Sequence, residues 1–152
     1  MLRTFVAIIL LSAAMSAVGT AGEPLRPGDI VVSDIGAKKL VRIDPTTGSQ
    51  TVITSGGWLT QPFGLAIDPA GQVFVADLGG TEGAASDGFI LKVDPATGAQ
   101  TLFCTNLQDP IDVALDSDQS LLVSDSGARS VYRITQSGRT LLSEGNYHYS
   151  AT

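Results

Sequence analysis

The chain has 152 residues and a formal net charge of −6, from 9 Lys and Arg against 15 Asp and Glu. Nucleic-acid binding requires clustered basic side chains, and Lys38 and Lys39 form the only adjacent basic pair, so the composition argues against a nucleic-acid partner. A single cysteine, Cys104, excludes an intrachain disulfide, and the fold must therefore rest on side-chain packing.

The first 21 residues have the pattern of a secretory signal peptide. Arg3 supplies a short basic start, residues 5–11 form an apolar core, and small residues continue to Ala21. This order predicts cleavage after Gly19 or Ala21 and a secreted or periplasmic location. The alternative is an uncleaved N-terminal anchor. Later apolar runs are only strand-length, so no membrane association is expected after cleavage.

The remaining chain repeats one short pattern three times. The copies are residues 28–36 (GDIVVSDIG), 71–79 (GQVFVADLG) and 120–127 (SLLVSDSG). Each is followed by a short apolar strand with one basic residue. A period of roughly 40–50 residues built from short strands is typical of β-propeller blades. The predicted fold class is therefore all-β, a partial β-propeller of about three blades.

Each repeat is predicted to form one four-stranded antiparallel blade, with strands a to d in chain order. Turns such as residues 94–98 (DPATG) place Pro and Gly where a tight turn needs them. The predicted divisions are a signal peptide (1–21) and a propeller segment (22–152), which comprises blade 1 (28–54, lacking strand a), blade 2 (62–104), blade 3 (110–143) and the start of a missing blade (144–152).

Strand b is apolar at consecutive positions, which predicts burial on both faces between stacked blades. Strand c instead carries Arg42, Lys92 and Arg133 at one repeated position. Charged side chains are rarely buried, so strand c is expected to be a solvated outer strand. Cys104 is expected to behave as a small buried apolar residue of strand d.

The same residues resemble a known repeat family. Residues 59–77 (LTQPFGLAIDPAGQVFVAD) resemble the NHL-type repeat, which has Pro-x-Gly, an apolar strand ending in Asp, and a Val-Ala-Asp strand. The third copy departs from the pattern at Asp112, which replaces the Gly, and at residues 118–119. The resemblance covers nearly all of residues 22–152. It implies the propeller fold and leaves the activity open, because this fold hosts many unrelated functions.

Two groups of propeller enzymes share this repeat style. Gluconolactonase-like propellers are expected to hold a divalent metal partly through an Asn of strand a, where this chain has Phe63 and Ile111. Streptogramin-lyase-like propellers are expected to use a histidine, whereas His148 here lies outside every predicted blade. The resemblance therefore implies no catalytic residue, no metal site and no cofactor in this chain.

The repeated Asp-x-Gly motif invites a calcium interpretation. A calcium loop needs several oxygen ligands at alternate positions, and each motif offers one carboxylate. We expect the Asp to accept hydrogen bonds from the turn backbone and the Gly to adopt a left-handed conformation. Glu82 and Asp87 are expected to belong to a polar loop inserted in blade 2. The repeated turn residues are Asp34, Gly36, Asp77, Gly79, Asp125 and Gly127.

The predicted function is an exported binding or scaffold module for a protein, peptide or saccharide ligand. The alternative is a lactonase- or lyase-type enzyme whose catalytic site lies in blades absent here. Three blades are fewer than a closed propeller needs, and three explanations remain open. The chain is a truncated part of a longer propeller, half of a six-bladed ring completed by a second copy, or an open stack.

Overall fold

The computed structural model describes residues 22–80 and 87–145. Over these two ranges the chain forms eleven β-strands and no helix, and thus no helical segment long and apolar enough to span a membrane. The predicted signal peptide, Glu82 and His148 lie outside the described residues.

The strands form three antiparallel sheets, each built in the order in which its strands follow along the chain. The first sheet has three strands, β1 (Ile30–Asp34), β2 (Lys39–Ile43) and β3 (Gln50–Ser55). The second sheet has four strands, β4 (Pro62–Ile67), β5 (Val73–Asp77), β6 (Gly88–Val93) and β7 (Gln100–Leu107). The third has β8 (Pro110–Leu115), β9 (Leu121–Asp125), β10 (Ser130–Thr135) and β11 (Gly138–Glu144). We call these sheets blades 1, 2 and 3, and the predicted all-β arrangement is confirmed.

Two apolar clusters hold the blades together, one in each space between neighbouring sheets. The cluster between blades 1 and 2 includes Val31, Leu40, Val75 and Leu91. The cluster between blades 2 and 3 is formed by a second set of side chains, Ala66, Phe74, Ala76, Ile90, Leu107, Val113, Leu121, Val123 and Ile134. Blade 2 therefore contributes to both clusters, one from each face.

The burial of strand b follows from this arrangement. In blade 2 all five residues of β5 are buried, as the consecutive apolar pattern predicts. In blades 1 and 3 the equivalent strands β1 and β9 alternate between buried and half-buried residues. Each of those sheets has a neighbouring sheet on only one face among the described residues, so only alternate side chains are covered.

The inner strands of blades 2 and 3 come very close together at Gly64. A Cβ atom built at Gly64 would lie 2.7 Å from the Cα of Asp112 and 2.1 Å from its carboxylate oxygen Oδ1. No side chain fits in that space without movement of the neighbouring strand. This contact gives a physical reason for the glycine of the Pro-x-Gly pattern in blade 2.

The expectation that strand c is a solvated outer strand is wrong. Strand c is the third strand of each sheet, and strand d covers its outer edge. Arg42 on β2 is only 8% exposed and forms an ion pair of 2.7 Å with Asp29, which is equally buried. Lys92 and Arg133 occupy the same position in the other blades and are half-buried. Arg42 and Arg133 pair with carboxylates, whereas the Lys92 ammonium lies 5.8 Å from the centre of the Phe74 ring.

The Arg42–Asp29 pair fastens the segment before β1 to blade 1. Arg42 also donates to the carbonyl oxygen of Pro24 at 3.3 Å, and Asp29 accepts from the backbone N–H of Arg26 at 2.6 Å. Arg133 instead pairs with Asp116 and remains 39% exposed. The two positions thus differ in burial although they match in sequence.

This difference predicts unequal stability effects. Arg42→Met keeps the apolar stem but leaves the Asp29 carboxylate buried without its cation, so it should cost about 3 kcal/mol of unfolding free energy or more. Arg133→Met removes a partly exposed pair and should cost about 1 kcal/mol or less. Urea unfolding of both variants measures the difference, and equal losses would contradict the buried-pair account.

Candidate functional site

The two ends of the sheet stack differ in the connections that they carry. Because the strands alternate in direction, the b–c and d–a connections lie at one end, which we call the loop end. The a–b and c–d connections lie at the opposite end, which we call the turn end. Among the described residues, the loop end carries residues 35–38, 56–61, 78–80, 87, 108–109 and 126–129. The turn end carries residues 44–49, 68–72, 94–99, 116–120 and 136–137.

The turn end carries short turns in which side-chain carboxylates accept hydrogen bonds from the same turn. The Asp44 carboxylate accepts from the backbone N–H groups of Thr46 and Thr47 at 2.8 and 3.1 Å. The hydrogen bonds from Thr47 and then Thr46 hold the pKa of Asp44 below its usual value. The hydroxyl and backbone N–H of Ser120 likewise lower the pKa of Asp118. These two carboxylates therefore stabilise their own turns.

At the loop end, Asp77 joins the start of strand a to the end of strand b within blade 2. Its side chain is completely buried. The carboxylate accepts from the backbone N–H groups of Thr60, Gln61 and Gly79 at 2.9, 3.0 and 2.9 Å. The hydroxyl of Thr60 also donates to it. We call this arrangement the aspartate latch.

Blade 3 contains the same latch, and blade 1 contains only part of it. Asp125 accepts from the backbone N–H groups of Gln108 and Asp109, both at 2.9 Å, and of Ala128 at 3.0 Å. Among the described residues, Asp34 accepts from the backbone N–H of Ala37 alone, at 2.9 Å, and its carboxylate lies 3.9 Å from the Lys39 ammonium. The described part of blade 1 has no strand a before β1, so the usual donors to this carboxylate are missing.

The glycines of the three motifs do not share one conformation. Gly79 has a φ of 86°, as expected for the left-handed region. In the other two motifs the left-handed residues are Lys38 and Arg129, with φ of 50° and 51°. These turns close two residues after the glycine, where Arg129 donates to the carbonyl of Ser126 at 3.3 Å. The left-handed expectation is therefore wrong at the glycines of blades 1 and 3.

Gly127 has a different requirement, which is space. A Cβ atom there would lie 2.6 Å from Oδ2 of Asp109. The turn that the Asp125 latch holds therefore lies so close to Asp109, just before strand a, that Gly127 has no room for a side chain.

The latch predicts a contrast between Asp77 and Asp34. Asp77→Ala leaves buried backbone N–H groups without an acceptor and should cost about 3 kcal/mol or more. Asp34→Ala removes one exposed turn bond and should cost about 1 kcal/mol or less. Thermal and urea unfolding of the two variants test this, and a mild Asp77→Ala variant would refute the latch.

A polar groove opens at the loop end beside blade 3. Its volume is about 540 Å³, and its lining includes Gln108, Arg129 and Glu144 together with the backbone of Gly127 and Gly145. An amide, a guanidinium and a carboxylate therefore face one open space. We call this space the blade-3 groove.

Asp109 adds an unused acceptor close to this groove. Its carboxylate oxygen Oδ1 is buried and has no hydrogen-bond donor among residues 22–80 and 87–145. Its backbone is held by the latch, since Asp109 donates to Asp125 and accepts from Ser126 at 2.9 Å. The latch thus fixes one wall of the blade-3 groove.

An exposed aromatic residue, Trp58, lies at the same end between blades 1 and 2. Its side chain is 51% exposed, and its ring meets Phe89 edge to face at 6.3 Å. The backbone N–H of Trp58 donates to Oε1 of Gln100 at 2.8 Å, and Gln100 donates in turn to Thr54 and Gly56. These bonds hold the connection that presents the indole to solvent.

The described residues contain no cluster of metal-ligating side chains. Across residues 22–80 and 87–145, no three His, Cys, Asp or Glu side chains gather closely enough to hold a metal ion. Phe63 and Ile111 occupy matching positions on β4 and β8, and Ile111 is 41% exposed. The structure brings the Asp-x-Gly carboxylates to the loop end, where backbone N–H groups of the surrounding connections bind them.

Cys104 lies on β7, the outermost strand of blade 2, and is half-buried. It packs beside the cluster between blades 2 and 3, as the apolar expectation implies, although its burial is incomplete. Burial raises the pKa of its thiol above the ordinary value, and the nearby Arg139 opposes this only in part.

The raised pKa predicts an unreactive thiol at mildly alkaline pH. Since the neutral form is favoured in the folded state, alkylation by iodoacetamide at pH 8 should be several-fold slower than in urea-unfolded protein. The rate should rise as the pH passes the raised pKa. Alkylation timed by mass spectrometry tests this, and equal rates for folded and unfolded protein would contradict it.

Comparison with known proteins addresses the arrangement of the blades. No protein-family model and no curated protein sequence matches the chain. Solved structures do match it. A virginiamycin B lyase from Staphylococcus aureus has a TM-score of 0.61 and 20% identity, over 79% of this chain and 39% of the lyase chain. The chain is a partial β-propeller.

Further propeller structures match to a similar degree. A gluconolactonase from Xanthomonas campestris has a TM-score of 0.60 and 18% identity, over 77% of this chain and 44% of the other. A chain of a nidogen–laminin complex has a TM-score of 0.64 and 18% identity with the same coverage. Identities this low show the fold alone. The partial propeller spans less than half the length of each of these chains.

Proposed function

We propose that this partial propeller is an exported module that binds a polar partner at the loop end and has no catalytic centre of its own. The observation that carries the proposal is the contrast between the two ends of the stack. At the turn end the carboxylates of Asp44 and Asp118 are bound within their own turns, and the cleft beside residues 69–72 and 94–96 has a volume of only about 290 Å³. The loop end presents the larger blade-3 groove and the exposed Trp58.

The chemistry of the groove favours a peptide or saccharide ligand. Arg129 can donate to a carboxylate or to sugar hydroxyls, and Glu144 can accept from hydroxyl or amide groups. Gln108 offers both functions. Because the groove lining is mainly polar, hydrogen bonds rather than apolar burial would select the ligand. The Trp58 indole offers a flat surface for a sugar ring or a peptide side chain.

Export is supported by the order of basic, apolar and small residues in positions 1–21. A chain with one cysteine also cannot form a wrong internal disulfide in an oxidising compartment.

Arg129 offers a direct test with a matched control. Both Arg129 and Lys38 have left-handed backbones in equivalent turns, and Asn tolerates that conformation. Purified protein is screened on arrays of peptides and saccharides, and the hits are measured by calorimetry. Arg129→Asn should weaken binding about tenfold or more through loss of a charge-assisted hydrogen bond, whereas Lys38→Asn should leave it unchanged.

Three results would oppose the proposal. Equal weakening by both substitutions would place the ligand away from the blade-3 groove. Turnover of a lactone or a cyclic peptide by the purified chain would favour the alternative, a lactonase- or lyase-type enzyme. Absence of any peptide or saccharide ligand on the arrays would also count against a binding module.

A further inference from the structure

Every blade in this stack has two distinct faces. We call the face that points toward the next blade along the chain the forward face, and the face on the opposite side the backward face. In blade 2 the forward face carries Phe74 and Ile90, which belong to the cluster shared with blade 3. The backward face carries Val75 and Leu91, which belong to the cluster shared with blade 1.

The backward face of blade 1 has no neighbouring sheet among the described residues. Its apolar side chains are Ile30, Val32, Val41, Ile43 and Val52, and they belong to neither cluster. The strand registers of blades 1 and 2 align these positions with Val73, Val75, Leu91, Val93 and Leu102. All five residues of blade 2 pack in or against the cluster between blades 1 and 2. Val52, on the outer strand β3, is 45% exposed.

Blade 3 presents the opposite, forward face. Its apolar side chains are Ala114, Leu122, Val131 and Leu142, and these also belong to neither cluster. The registers align them with Ala66, Phe74, Ile90 and Phe103 of blade 2, all of which pack in or against the cluster between blades 2 and 3. Leu142, on the outer strand β11, is 48% exposed.

The chain already makes two contacts in which the forward face of one blade packs on the backward face of the next. The two uncovered faces are the forward and backward partners that a third such contact would need. Forward-on-backward packing joins blade 1 to blade 2 and blade 2 to blade 3. A surface that pairs two different patches of identical subunits is heterologous, and it closes into a ring when the rotation allows. The aligned part of this chain covers from 36% to 47% of each matched propeller chain, so each of those chains is long enough to hold two stacks of this size.

We propose that two copies of the chain close a six-sheet ring, with the forward face of blade 3 in each copy packed on the backward face of blade 1 in the other. Both seams are then identical, and every apolar face of the six sheets is covered. The proposal concerns assembly and does not depend on a ligand in the blade-3 groove.

Light scattering on the protein without residues 1–21 tests the closed ring. The expected mass is twice that of the chain and is independent of protein concentration. A folded particle of one chain mass would overturn the proposal. A mass that rises steadily with concentration would also overturn it, because open head-to-tail association grows without limit.

Two charge substitutions test the seam itself. Leu142→Asp places a negative charge on the forward face of blade 3, and Val52→Lys places a positive charge on the backward face of blade 1. Both residues lie half-exposed on outer strands, so the single blades should fold, which circular dichroism checks. The equivalents Ile53 and Leu102 pack against one cluster across the internal seam, so the new charges should meet.

Each variant alone should have the mass of one chain, and an equal mixture should recover the two-chain mass with both variants present. In the mixed ring one seam pairs Asp with Lys and the other is unchanged. Thr101→Lys, on the exposed outer strand of blade 2, and Gln136→Asp, in the exposed turn between β10 and β11, lie off both seam faces and should leave the two-chain mass unaltered. Retention of the two-chain mass by either seam variant, or failure of the mixture to recover it, would overturn the proposal.

Discussion

Face-to-face packing between neighbouring sheets is the constraint on which the rest of this structure depends. A four-stranded sheet with apolar residues on both faces is stable in water only when both faces are covered. Blade 2 meets this condition completely, and its strand β5 is buried at every position. Apolar burial is the dominant favourable term in folding. Blade 2 is therefore the central element of the stack.

The aspartate latches convert this packing into a defined loop end. Packing positions the sheets, but it does not by itself fix the connections that leave them. Asp77 and Asp125 do so by binding the two residues before strand a and the turn after strand b. A carboxylate that accepts several backbone N–H groups is rigid, because each donor fixes its orientation further. The walls of the blade-3 groove are consequently set by the same interaction that closes the blade.

Much of the fold could be predicted from the repeats, since strand positions follow from the spacing of apolar residues. Two features could not. The buried Arg42 depends on Asp29 and on a segment before β1 that has no counterpart in the other repeats. The left-handed residues Lys38 and Arg129 depend on how many residues close each turn, which the Asp-x-Gly motif does not specify. The blade-3 groove also escapes prediction, because the repeat does not show that Gln108, the turn at residues 127–129 and the end of β11 at Glu144 face one space.

The ion pair between Arg42 and Asp29 determines where a preceding segment would join the stack. Residues 22–25 lie at the turn end, where a Cβ atom on Gly22 would be 3.4 Å from the carbonyl oxygen of Ala96. The polypeptide therefore enters the stack on the side opposite Trp58 and the groove. A tether, a fused domain or a solid support joined ahead of residue 22 would hold the stack with its loop end facing outward into solution.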